Sequence, residues 1–154
     1  MVAIPSYHLR KIMSNYANAS QKRGSALEAM FDRWIEHWNK RIHMRAYRLE
    51  VRYNMAIGRY TKKQDADYLI ITPTSKYLLD SKECSSEYFY PSRQPAHQLA
   101  AMEKFQNNLL GIAGFVVWFK EQDSAGVNLR FIRNLVEKAD INSGTRFDWE
   151  KIGD

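Results

Sequence analysis

Ile112–Phe119, read IAGFVVWF, runs eight residues without a charge. In a strand, alternate side chains point to opposite faces, and here both faces are apolar. Such a strand has no wet side, so it belongs in the middle of a sheet with cover above and below. The chain supplies two covering segments. From Ser20 or Gln21 to about Ile42, the residues Leu27, Met30, Phe31, Trp34, Ile35, Trp38 and Ile42 recur every three or four positions. That is one broad apolar helical stripe, and it places Trp34 and Trp38 in the core. A second helix is expected from about Pro95, well suited to a first helical position, to Leu110, with Gly111 as its stop.

The other segments read as strands. In residues 46 to 58, Tyr47, Leu49, Val51 and Tyr53 alternate with Arg48, Glu50 and Arg52. ADYLIIT (66 to 72) and KYLLDSK (76 to 82) flank the turn residues Pro73, Thr74 and Ser75, giving an antiparallel meander. VNLRFI (127 to 132) adds a strand, followed by a short helix through Lys138. Residues 1 to 19 read as a loose arm or a short helix and 139 to 154 as a polar tail. The expectation is a single α/β (α+β) domain over residues 1 to 154, with a central mixed sheet flanked by helices.

At 154 residues the chain is long enough for one core and too short to expect two. Its single cysteine, Cys84, forms no internal disulfide and reads as a small buried hydrophobe. That favours a reducing, cytoplasmic setting, as does the lack of a membrane-length apolar run or a signal peptide. The net charge of +6 is uneven. Residues 1 to 60 hold eleven Lys/Arg against four Asp/Glu, whereas the remainder holds twelve against thirteen. A basic first third suits the phosphates of nucleic acid, and it equally describes a solvated helix face.

The informative anomaly is a set of charges at the end of an apolar strand. Asp80 and Lys82 share a face, Ser81 points the other way, and Asp67 on the neighbouring strand reaches the same end. Buried charges need pairing, hydrogen bonds or a metal. Two carboxylates and the Ser81 carbonyl would suit a hard divalent cation, with Lys82 placed to polarise an attacking water. Gln98 shares a helical face with Met102, Phe105 and Leu109, so its amide needs a partner. Glu28 sits beside Leu27 at the edge of the first helix's stripe. His97, on a face with Ala101 and Lys104, reads as a phosphate contact or a surface residue rather than a metal ligand. Tyr88, Phe89, Tyr90 and Arg93 form a loop suited to stacking on unpaired bases, or to closing over the core. No Cys/His zinc cluster, P-loop or dinucleotide fingerprint is present, so no small-molecule cofactor is expected.

Asp67 followed by Asp80-x-Lys82 resembles the PD-(D/E)XK nuclease superfamily. Arg23-Gly24-Ser25-Ala26-Leu27-Glu28 is similar to the opening of the first helix in Holliday-junction resolvases of the RecU and Hjc types. DSKEC and His97-Gln98 resemble further RecU motifs in the same order, so the likeness spans roughly Gln21 to Lys138. It implies a restriction-endonuclease-like fold and a homodimer that resolves four-way or branched DNA by paired nicks. Mg²⁺, with Mn²⁺ as substitute, would be held by Glu28, Asp67, Asp80 and Ser81. Lys82 and Gln98 would act on the nucleophile and phosphate, and Arg23, Gly24, Lys62, Lys63, Arg93 and His97 would contact DNA. A duplex-cutting nuclease of the same fold and a non-catalytic DNA-binding protein remain the alternatives.

Overall fold

The computed structural model describes residues 26–49, 53–54, 59–60, 66–123 and 128–152. The expected arm at 1–19 and the candidate DNA contacts Arg23, Gly24, Lys62 and Lys63 lie outside them. Helix α1 spans Ala26–Trp38 and helix α2 spans Ala96–Leu109. Six strands form one mixed sheet, ordered β1 (Arg45–Arg48), β4 (Tyr68–Ile71), β5 (Lys76–Cys84), β6 (Ile112–Phe119), β7 (Arg130–Arg133) and β8 (Thr145–Arg146). The architecture is α+β around a central sheet, as the sequence pattern required. β2 (Tyr53–Asn54) and β3 (Arg59–Tyr60) pair antiparallel in a separate ladder, so the strand expected over 46 to 58 is divided. Among the described residues, no helix is long and apolar enough to cross a membrane.

Neighbouring strands pair antiparallel except β5 and β6, which run parallel from Tyr77↔Ile112 to Cys84↔Phe119. Parallel neighbours need a long crossover, and α2 supplies it. β6 is covered on both sides, as its apolar sequence demanded: Val116 packs in the cluster beneath α1, while Phe115, Val117 and Phe119 join the cluster beneath α2. β5 divides in the same way. Tyr77 and Leu79 face α1, whereas Leu78 and Cys84 face α2.

The aromatic stripe of α1 lies on the sheet. Phe31 stacks on Tyr68 with centroids 4.2 Å apart and meets Trp34 edge-on at 4.8 Å. Ile42 lies beyond the helix end and is exposed, so the stripe stops at Trp38. Asn39 fixes that end by bonding the main chain of Ala46 in both directions, accepting from its N–H at 2.7 Å and donating to its carbonyl at 2.9 Å.

Two other expectations are corrected. Residues 134–138 form turns rather than a helix. Asn134 is buried and accepts from Gln106 Nε2 at 2.9 Å, and Ala139 forms a β-bridge with Phe89 that keeps the chain extended. The stretch read as a polar tail contributes Trp149 and Ile152 to the core, because a few unspaced apolar residues leave no periodic signal. Trp149 stacks on Trp34, and Trp38 Nε1 donates to the Trp149 carbonyl at 2.8 Å. The stop of α2 also has its own mechanism. Leu110, not Gly111, takes the left-handed conformation (φ 55°), while Gly111 leaves room for the Phe105 ring.

Gly114, in the middle of β6, tests this packing. A Cβ there would lie 2.5 Å from the Ile132 carbonyl oxygen and 2.9 Å from the Phe131 ring. Gly114→Ala should destabilise the protein by about 1–3 kcal/mol. A urea titration in which the midpoint does not fall would contradict the packing described.

Candidate functional site

Asp80 lies in β5, buried to 1% exposure, on the face that meets α2. The strand places Lys82 two residues on, where its Nζ stands 2.8 Å from Asp80 Oδ2 as an ion pair. From α2, Gln98 Nε2 approaches Asp80 Oδ1 at 3.4 Å. The other end of that amide, Gln98 Oε1, is buried without a hydrogen-bond partner. A buried acceptor with no donor is costly, and its position beside two charged groups suits a site that takes up water or a cation.

Asp67 lies just before β4. Its carbonyl accepts from the Leu49 N–H at 2.7 Å, which extends the β1–β4 ladder by one bond and fixes its main chain. Its Oδ2 accepts from both the N–H and the hydroxyl of Ser81, at 3.1 and 3.0 Å. Ser81 thus turns away from Asp80, as strand alternation requires, yet ties the neighbouring carboxylate into place. Burial, and then the charge of Asp67, push the Asp80 carboxyl up to about 7 against the opposing pull of Lys82. Burial and Asp67 likewise drive the Tyr68 hydroxyl far above its ordinary range.

Glu28 stands on α1, across the sheet from Asp80, and like Asp67 its charge acts on Tyr68. In the first turn of α1 its Oε2 lies 3.3 Å from Arg48 Nη2, and Arg48 Nη1 also reaches both oxygens of Asp32 at 3.0 Å. Burial works against the Arg48 charge, but Asp32, then Tyr68 and Glu28, outweigh it and raise its pKa. Among the described residues, no three His, Cys, Asp or Glu side chains converge as a metal cage. Asp67 and Asp80 stand close enough for each charge to act on the other, while Glu28 is engaged with Arg48. A pair is enough for Mg²⁺, which is commonly held by one or two carboxylates with water completing its shell. Two crowded carboxylates, one with a raised pKa, and an orphaned amide oxygen fit such an ion.

His97 is half-buried on α2, next to Gln98. Arg93 is exposed at the end of a 3₁₀ turn, with its guanidinium 3.9 Å above the Tyr90 ring. The aromatic loop divides its roles. Phe89 is core, edge-on to Phe115 at 5.3 Å, while Tyr88 and Tyr90 carry cations on their rings. Glu83 was missed in the sequence reading. It shares Ser81's face, lies 3.5 Å from Lys120 Nζ, and accepts from the Leu27 N–H at the start of α1 at 3.5 Å. Its parity in the strand, opposite to Lys82, was the available signal.

No family model and no curated protein matches the chain. Among solved structures it is similar to Hjc, a Holliday junction resolvase from the archaeal hyperthermophile Archaeoglobus fulgidus. The TM-score is 0.47 at 13% identity, covering 72% of this chain and 84% of that one. The functional reading rests on the side chains rather than on a likeness of that level.

The raised Asp80 pKa carries a stability consequence with a definite sign. Below the unfolded value of 3.8 the carboxyl is protonated in both states and costs nothing. As pH rises from there through about 7, the folded state holds the proton more tightly, and stability falls by an amount on the order of a few kcal/mol. Metal-free Asp80→Asn should therefore melt several degrees above the wild type at pH 8, with the gap closing near pH 4. Mg²⁺ should raise the wild-type midpoint and leave the variant's unchanged. Calorimetric melts across pH, with and without Mg²⁺, check both; a wild-type advantage at pH 8 without metal contradicts the account.

Proposed function

We propose that this chain is a Mg²⁺-dependent endonuclease acting on branched DNA, most specifically on four-way junctions, as an intracellular homodimer. One observation carries the reading: a buried carboxylate, Asp80, midway along β5 rather than at the strand end its sequence suggested, paired with Lys82, approached by Gln98 and crowded by Asp67. A strand interior stabilised only by packing has no use for that arrangement. The order of motifs along the sequence, from Glu28 through Asp80-x-Lys82 to His97-Gln98, supports the same reading. Asp67 and Asp80 would hold the ion, which when bound would offset the charge of a phosphodiester under attack and acidify a water.

The other residues have roles that follow from where they stand. Lys82 presents an ammonium beside the reacting position and stabilises charge that develops on the phosphate. Gln98, with its amide N–H₂ on Asp80, offers its Oε1 to orient the nucleophilic water. Ser81 keeps Asp67 in its working rotamer through two hydrogen bonds. Glu28, paired with Arg48, ties the start of α1 to the edge strand. Two nicks of like polarity need two such sites, and a two-fold pair of identical chains supplies them.

Incubating the protein with a labelled four-way junction and a matched linear duplex, in Mg²⁺ or in EDTA, is the direct test. Paired cuts in the junction are expected, dependent on metal and faster than duplex cleavage. Asp80→Asn should lower the cleavage rate by at least a hundredfold while preserving junction binding, because shape is kept and a charged ligand is lost. Equal cutting of duplex would reassign the protein to a duplex nuclease. Binding without any cutting in Mg²⁺ or Mn²⁺ would make it a non-catalytic DNA-binding protein. Light scattering that shows a monomer at micromolar concentration would remove the dimer.

A further inference from the structure

We infer that the groove running from Lys82 to Arg93 is a subsite for the DNA strand on one side of the scissile phosphate, with Arg93 clamping a neighbouring phosphate. The inference rests on the nuclease reading above. The groove holds about 380 Å³ and is lined by Lys82, Cys84, Ser86, Tyr88, Tyr90 and Arg93, among others. That is toward the small end of ligand sites, and Lys82, the ion-pair partner of Asp80, is part of its wall.

Its walls are built rather than incidental. The Cys84 thiol donates to the carbonyls of Ser86 and Tyr88, and the Ser86 hydroxyl donates to Tyr88 O at 2.8 Å, which binds the loop to the strand end. On the far wall, Pro91 opens a 3₁₀ turn in which Arg93 N–H and Gln94 Nε2 both donate to the Tyr90 carbonyl at 3.1 Å. The turn brings Arg93 back over the ring of Tyr90, at 3.9 Å from its centroid. Among the described residues, no carboxylate or carbonyl accepts from the Arg93 guanidinium. An arginine that spends its face on a tyrosine keeps its whole N–H edge for an outside acceptor, and planar forks favour phosphate oxygens.

The rim repeats the device. Lys138 Nζ sits 3.8 Å over the ring of Tyr88, again with no acidic partner among the described residues. The acid in the lining, Glu83, is offset by Lys120 and by the Leu27 N–H. Two parked cations flank a groove that leads to the reacting carboxylates, which is the electrostatic form of a track for a phosphodiester chain.

The test is fluorescence anisotropy of the full chain in EDTA, where cleavage is off, with a labelled 12-nucleotide single strand and a four-way junction over a range of salt. Arg93→Ala should weaken binding of both roughly tenfold. On the single strand it should also flatten the slope of log K against log salt by about 0.7, the share of one phosphate. Arg93→Lys should restore the slope but recover only part of the affinity, since an ammonium has no planar fork to lie on Tyr90. Lys76→Ala, an exposed change at the other end of β5, should leave both measurements as in the wild type. If the wild type binds and cuts junctions while Arg93→Ala matches it in affinity and slope, the groove assignment falls and the nuclease reading stands. If the wild type binds neither DNA, both fall together.

Discussion

A carboxylate as enclosed as Asp80 persists in a folded chain only when something answers its charge. The answer here comes from two directions, against a third group that opposes it. Lys82 reaches back along the same strand, Gln98 comes down from α2, and Asp67 presses from the neighbouring strand in the opposing sense. The architecture follows from bringing those directions together. β5 and β6 run parallel, parallel strands require a crossover, and the crossover helix is the element that carries Gln98. The antiparallel hairpin of β4 and β5 sets Asp67 beside Asp80.

The period of two in β5 lets one strand serve both layers. Even positions deliver Asp80 and Lys82 to the α2 side. Odd positions deliver Ser81 to Asp67 and Glu83 to the Leu27 N–H at the start of α1. A slip of one residue in register would exchange the two sets and bury Lys82 against aromatic rings. The eight-residue ladder from Tyr77↔Ile112 to Cys84↔Phe119 guards against that slip.

Much of this was legible in the sequence because it is local and periodic. The uncharged run of β6, the stripe of α1 and the charges within β5 each announce themselves inside a single element. Gln98 was legible as an amide on an apolar face, and its partner is Asp80. What stayed hidden depends on contacts between distant segments. Glu28 meets Arg48 because an edge strand passes over the first turn of α1, and neither residue's spacing declares the other. Ile42 continued the helical pattern on paper, yet the Asn39–Ala46 bonds turn the chain before it. Trp149 and Ile152 lie in a polar stretch without period, and only the aromatic surface of α1 gives them a place.

The bond from Trp38 to the Trp149 carbonyl spans 111 residues of chain. On a ribosome this separation becomes a delay. The aromatic face of α1 emerges early, and its outer cover of Phe147, Trp149 and Ile152 is synthesised only after every strand through β8. Throughout that interval the nascent helix offers exposed rings, the kind of surface that chaperones hold and that promotes misassembly. Asp67, Asp80, Lys82 and Gln98 all leave the ribosome before that cover exists, so the residues of the site are translated before the core behind them can be sealed.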